Sequence, residues 1–178
     1  MRNHATMIHV CSLSRLEETV TRVGAGSVVS LLAAGTALKR PAAIAEDRHL
    51  ALWMNDIVDA APDMTPPGAE HVERLIGFAR AWDRSRPKVI HCFAGISRST
   101  AAAYIVASAL APGRDEMELA RTLRLLSPTA TPNARLIAIA DDMLSRKGRM
   151  VDAIRAIGRG ADAYEGVPFA LPIEPERS

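Results

Sequence analysis

Residues 87–110 constrain the fold more than any other stretch of this chain. Pro87-Lys88-Val89-Ile90 is short and β-prone, and Thr100 to Leu110 is an apolar helical run. Between them lies His91-Cys92-Phe93-Ala94-Gly95-Ile96-Ser97-Arg98-Ser99. A strand that passes through a tight glycine-containing loop straight into a helix aims backbone N–H groups and the helix N-terminus at one concavity. Such a concavity receives an oxyanion. The longest apolar run, Ala101–Leu110, is too short to span a bilayer. It is expected as a core helix buried on all sides.

The surrounding pattern extends this unit to a domain. Met7–Cys11, Ser27–Leu32, His49–Met54 and Lys88–His91 read as strands. Ser14-x-x-Glu17 predicts a capping box for a helix carrying Leu16, Val20 and Val23 on one face and ended by Gly24 and Gly26. A short helix is expected at Ala42–Ala45. Thr65-Pro66 predicts a helix start, a hydroxyl cap followed by proline, ahead of the stripe Val72, Leu75, Ile76, Ala79 and Trp82. Three more amphipathic helices follow at Met117/Ala120/Leu123, Leu136/Ile139/Ala140/Met143 and Val151/Ile154/Ile157. The second of these is expected to open at Thr131-Pro132. Strands alternating with helices in the first half, then helices alone, predict an α/β fold: a central, mostly parallel sheet of about four to five strands flanked by helices. One domain over residues 1–163 and an extended, proline-containing tail over 164–178 are expected, the tail carrying Pro168, Pro172 and Pro175.

Bulk properties narrow the partners. The formal net charge is only +2 in 178 residues, and the arginines are scattered. No nucleic-acid or membrane partner is expected, and the chain should be a monomer or weak dimer. Two cysteines make no disulfide framework, and the N-terminus, with Arg2, His4 and His9, does not read as a secretory signal. A cytoplasmic, reducing setting follows for a working thiolate. The five histidines are dispersed without a pair at helical ligand spacing, so no metal and no cofactor are expected.

The chemistry is expected at the carboxyl end of the strand that ends near Cys92. Cys92 begins the loop and would be held as a thiolate nucleophile by loop N–H groups, the helix N-terminus and Arg98. The backbone from Phe93 through Ala94, Gly95, Ile96 and Ser97 to Arg98 would circle the oxygens of a phosphate dianion. The planar fork of Arg98 would hold two of them. Ser99 could donate to the Cys92 sulfur, and His91 is expected to hydrogen-bond the loop backbone. Cys11 is an internal control, because the residue at the same offset from it is Glu17. It is read as a core residue, with a redox partner as the alternative. A departing alkoxide needs a proton donor. Asp56, at the exit of the preceding strand, is the first choice, with Asp59 and Asp63 as rivals.

At these residues the chain resembles the cysteine-dependent protein tyrosine phosphatases, on the dual-specificity-like side. His91-Cys92-x5-Arg98-Ser99 resembles that family's phosphate loop, and Asn55-Asp56 its general-acid loop. Pro132-Asn133 resembles the segment placed behind the loop, which makes Asn133 a supporting residue. The resemblance covers about residues 49–145. It implies hydrolysis of phosphomonoesters on phosphoproteins or phosphopeptides through a cysteinyl-phosphate, without a metal. The alanine- and arginine-rich composition suggests a GC-rich bacterial source. No Trp-Pro-Asp loop is present, although Trp53 precedes Asn55-Asp56, and the only tyrosines are Tyr104 and Tyr164. Phe93, Ala94 and Ile96 are uncharged, unlike the loops of phosphatases for polyanionic inositol phosphates. The alternatives are a catalytically weak phospho-ligand binding module and a phosphatase for a non-protein phosphomonoester. A rhodanese or an arsenate reductase fits the loop's sequence or its mid-chain position less well.

Overall fold

The computed structural model describes residues 6–175; Arg2, His4 and the last three residues of the expected tail lie outside them. In chain order the elements are β1 (Met7–Ser12), α1 (Leu16–Val23), β2 (Ser27–Leu32), β3 (His49–Trp53), α2 (Ala69–Arg80), β4 (Lys88–Cys92), α3 (Arg98–Leu110), α4 (Glu116–Leu126), α5 (Ala134–Met143), α6 (Arg149–Ile157) and β5 (Phe169–Pro172). The sheet runs β3-β2-β4-β1-β5. Its first four strands are parallel, and β5 lies antiparallel to β1. The α/β class with a mostly parallel sheet is as the sequence predicted.

Side-chain alternation along the strands separates two cores. Ile8, Val10, Val29, Leu31, Leu52, Ile90 and Cys92 face the large core, which α2 to α6 cover. Cys11, Val28 and Val89 face a smaller cluster under α1, with Leu16, Val20 and Ile44. The apolar run in α3 is buried from Arg98 to Ser108, so this helix is enclosed by the others. Among the described residues, no helix is long and apolar enough to cross a membrane.

Several predicted boundaries move, each for a local reason. The segment from Tyr164 is not an appendage to the sheet: Phe169–Pro172 pairs with β1, from Met7↔Pro172 to Val10↔Phe169, and Leu171 and Ile173 are buried. Part of the expected tail is therefore an edge strand of the sheet. Ser14 does not cap α1, which starts after a 3-10 turn with Arg15 at the N-cap; its hydroxyl instead donates to Glu165. Ala42–Ala45 forms turns, and the short helical turn sits at Glu46–Arg48. Helix α2 starts at Ala69, not at Thr65-Pro66. Pro66 and Pro67 each bar the preceding residue from helical geometry. Thr65 pairs with Asn55 instead, through Asn55 N–H to its carbonyl (2.7 Å) and its own N–H to Asn55 Oδ1 (2.8 Å). That pairing closes residues 55–65 into a loop with a fixed neck. In α5 the cap is Asn133 rather than Thr131; its Oδ1 accepts from Leu136 N–H at 3.0 Å.

Lys88, the first residue of β4, is 1% exposed. Its Nζ donates to Ser27 Oγ at 2.8 Å and sits 4.1 Å from the centroid of the Phe78 ring. Burial pulls its pKa down from 10.5 to about 7. Between those two pH values the unfolded chain binds the proton that the folded chain releases. Folding stability should therefore rise with pH across that window and level off above it. In Lys88→Met, thermal melts from pH 7 to 10 should lose that slope. An unchanged slope would assign the pH dependence to other groups.

Candidate active site

Strand β4 delivers Cys92 to the carboxyl edge of the sheet, and α3 begins only six residues later at Arg98. The turn between them fits because Gly95 adopts φ +73 and lies against β1. A Cβ there would stand 2.9 Å from the Cys11 carbonyl carbon and from the Ser12 nitrogen. Any side chain at this position would have to displace backbone. The loop is tied to its neighbours on both flanks. Leu13 N–H donates to Phe93 O (3.1 Å), and Gly166 N–H donates to Ala94 O (2.8 Å). On the other flank Thr131 N–H reaches Ile96 O (2.9 Å) and Asn133 N–H reaches Ser97 O (3.2 Å). Within α3, Thr100 Oγ1 donates to Ile96 O at 2.6 Å.

The Cys92 thiol is 2% exposed. Gly95 N–H donates to Sγ at 3.3 Å. Sγ lies 3.0 Å from Ser99 Oγ, to which the thiol donates; with a thiolate the hydroxyl becomes the donor. Arg98 is 8% exposed, and its Nη1 donates to the Met54 carbonyl at 2.9 Å, just before the 55–65 loop. Its Nε is buried and has no partner among the described residues. A buried guanidinium N–H without an acceptor carries a desolvation cost, which an oxyanion in the loop would relieve.

His91 is fully buried behind the loop, and burial takes its pKa down to about 4, so the ring is neutral. Its Nδ1 donates to Cys92 O at 3.1 Å, so Nε2 must accept. The Ser30 hydroxyl donates to it at 2.6 Å and in turn accepts from His49 Nε2 at 2.8 Å. This chain of three side chains fixes the ring tautomer and the carbonyl of the cysteine. Ser30 and His49 have no motif signal. They meet His91 only because β2 lies between β3 and β4.

Asp56 comes to the rim of the loop. Its Oδ1 accepts from Ser97 Oγ (2.7 Å) and from Asn133 Nδ2 (2.8 Å). Asn133 Nδ2 also donates to Ile57 O at 3.2 Å. Arg135 clamps the same loop, donating to Pro67 O (2.6 Å) and Val58 O (3.0 Å). Asp59 and Asp63 are both exposed, and neither is hydrogen-bonded to the 92–98 loop. Arg135 was not singled out in the sequence, since its role depends on a loop distant in the chain. The same holds for Glu165, whose carboxylate accepts from Ser12 and Ser14 hydroxyls beside the cysteine loop. Those two donors hold its pKa below the usual carboxylate range.

Cys11 is aligned with His91 across β1 and β4, while Ser12 is aligned with Cys92. It therefore points to the opposite face from Cys92, into the small cluster. Burial pushes its thiol up to about 11. The structure gives it a core position, with the sheet between the two sulfurs. Among the described residues, no group of three or more His, Cys, Asp or Glu side chains is placed to hold a metal ion.

No family model matches this sequence, and no curated protein matches it. Solved structures do. The chain is similar to the PTP-2 phosphatase of Cydia pomonella, with a TM-score of 0.59 and 19% identity over 76% of this chain and 84% of that one. It is similar to DUSP15, with a TM-score of 0.58 and 16% identity over 84% and 90%. Human DUSP28 gives a TM-score of 0.53 and 17% identity over 85% and 95%. At these identities the likeness is one of fold.

Proposed function

We propose that this chain, which shares its fold with tyrosine and dual-specificity phosphatases, is a cysteine-dependent phosphoric monoester hydrolase acting on phosphoproteins. The observation that carries the reading is the Gly95 N–H donated to the Cys92 sulfur within a loop that ends at Arg98, whose buried Nε has no partner among the described residues. Donors of that kind stabilise an anion best where water is excluded.

In the proposed reaction the Cys92 thiolate attacks phosphorus. The S–P bond forms as the bond to the leaving oxygen breaks, and Asp56 gives that oxygen its proton. Asp56, now a carboxylate, takes a proton from water. The water oxygen attacks the cysteinyl-phosphate, inorganic phosphate leaves, and the thiolate returns. Backbone N–H groups from Phe93 to Arg98 and the Arg98 fork hold the three equatorial oxygens. Ser99 donates to the departing sulfur, while His91 and Asn133 position the loop and the acid. The uncharged side chains at Phe93, Ala94 and Ile96 support phosphoprotein monoesters, on tyrosine or with dual specificity, over polyanionic small molecules. The residues that act extend from Asp56 to Asn133, within a single domain that takes in β5. A free thiolate nucleophile favours a reducing compartment such as the cytoplasm.

The test is hydrolysis of p-nitrophenyl phosphate in EDTA, with inhibition by vanadate. Absence of turnover by the wild-type chain on this substrate and on phosphopeptides would overturn the reading. In a series of aryl phosphates, Asp56→Asn should slow poor leaving groups by about 10²-fold or more and good ones much less. An equal effect across the series would remove Asp56 from the acid role. The same selective loss in Asp59→Asn would transfer the role to that residue.

A further inference from the structure

The chain has only two tryptophans, two tyrosines and three phenylalanines. The two most exposed of these flank one groove. Phe93 is 63% exposed and Tyr164 103% exposed. With Leu13, Ser14, Ala94 and Glu165 they line a cavity of about 430 Å³. Its floor is continuous with the cysteine loop, since Phe93 and Ala94 directly follow Cys92. Exposed aromatic rings forgo the burial that would stabilise them inside, and paired beside a reactive loop they form a surface for contact.

The groove is rigid although one wall comes from the C-terminal segment. Gly160 N–H donates to Thr131 Oγ1 (3.1 Å), and Ala161 N–H to Pro128 O (2.9 Å). On the far side of Tyr164, Glu165 is held by the Ser12 and Ser14 hydroxyls. Gly166 N–H donates to Ala94 O, and a Cβ on Gly166 would lie 2.6 Å from the Gly95 carbonyl oxygen. The backbone of Tyr164 is thus pinned on both sides while its ring projects free. With the backbone already held, contact has to order only the side-chain rotamers of that ring.

We infer that the Phe93–Tyr164 groove binds the large apolar side chain next to the phosphoresidue of a phosphopeptide substrate. This rests on the phosphatase reading above. A peptide whose phosphate sits in the loop must run its flanking residues over the loop's rim, and this groove is the apolar part of that rim. The Glu165 carboxylate in its wall disfavours an acidic neighbour.

The experiment compares three phosphotyrosyl peptides that differ only beside the phosphoresidue, with leucine, glycine or aspartate there. The wild type should prefer them in that order. Tyr164→Ala should lower kcat/KM for the leucine peptide about tenfold, to the level of the glycine peptide, mainly through KM. Hydrolysis of p-nitrophenyl phosphate, which has no flanking residue, should be unchanged. Equal use of the leucine and glycine peptides by the wild type would overturn the inference. So would a preference that survives in Tyr164→Ala, or a groove closed by a second copy, seen as a dimer that dissociates in that variant. If the wild type hydrolyses neither p-nitrophenyl phosphate nor the peptides, it is the phosphatase reading that fails. Fluorescence anisotropy of the labelled peptides on wild type and Tyr164→Ala then tests the groove separately.

Discussion

Cys92→Ser should abolish turnover of p-nitrophenyl phosphate, by roughly 10⁴-fold or more, the scale on which removal of a covalent nucleophile acts. The argument is chemical rather than steric. Serine fits the same space and can keep the neighbours of the sulfur, Gly95 N–H at 3.3 Å and Ser99 Oγ at 3.0 Å. Those donors can hold a thiolate, but an alkoxide lies far beyond their reach. The oxyanion donors remain, so the variant should bind phosphopeptide about as tightly as the wild type and retain bound substrate in a pull-down. Robust hydrolysis by Cys92→Ser would sink the covalent mechanism. Loss of both turnover and binding would show that the loop had collapsed, and Cys92→Ala would then separate the two effects.

The second large effect is expected for Arg98→Lys, a drop in kcat/KM of about 10² to 10³-fold. Charge is preserved, so the loss must come from geometry. One arm of the guanidinium is engaged by the Met54 carbonyl at 2.9 Å, while Nε is buried and has no partner among the described residues. Such a side chain can hold the start of the 55–65 loop and still offer Nε to an anion. A lysine ammonium is a single point and cannot do both. Vanadate affinity should fall in parallel with kcat/KM. An effect smaller than about fivefold on both would argue against bidentate clamping.

Local chemistry made much of this molecule legible in its sequence. Short β-prone runs marked β1 to β4, and the apolar stretch Ala101–Leu110 marked the enclosed helix α3. The cysteine loop was readable because its parts are contiguous: one strand end, one glycine turn and one helix start. Where signals of equal local strength competed, the sequence misled. Ser14 and Thr65 both have the chemistry of helix caps. In the fold Ser14 donates to Glu165, and Thr65 pairs with Asn55. A partner 151 residues away leaves no trace in a capping pattern.

The sequence by itself determined the strand-loop-helix unit, the α/β class and the residues with reactive side chains, because each depends on neighbours within a few positions. Tertiary structure alone decided how distant parts meet. It joined Asp56 to Ser97 and Asn133 rather than leaving Asp59 or Asp63 in that place. It set Ser30 and His49 behind His91, and it placed Cys11 on the far face of the sheet from Cys92. It also turned the C-terminal segment into an edge strand and a wall beside the loop. The physical reason is common to all of these. Hydrogen bonds between segments are selected by strand order and register, which the packing of the whole chain fixes and no local pattern encodes.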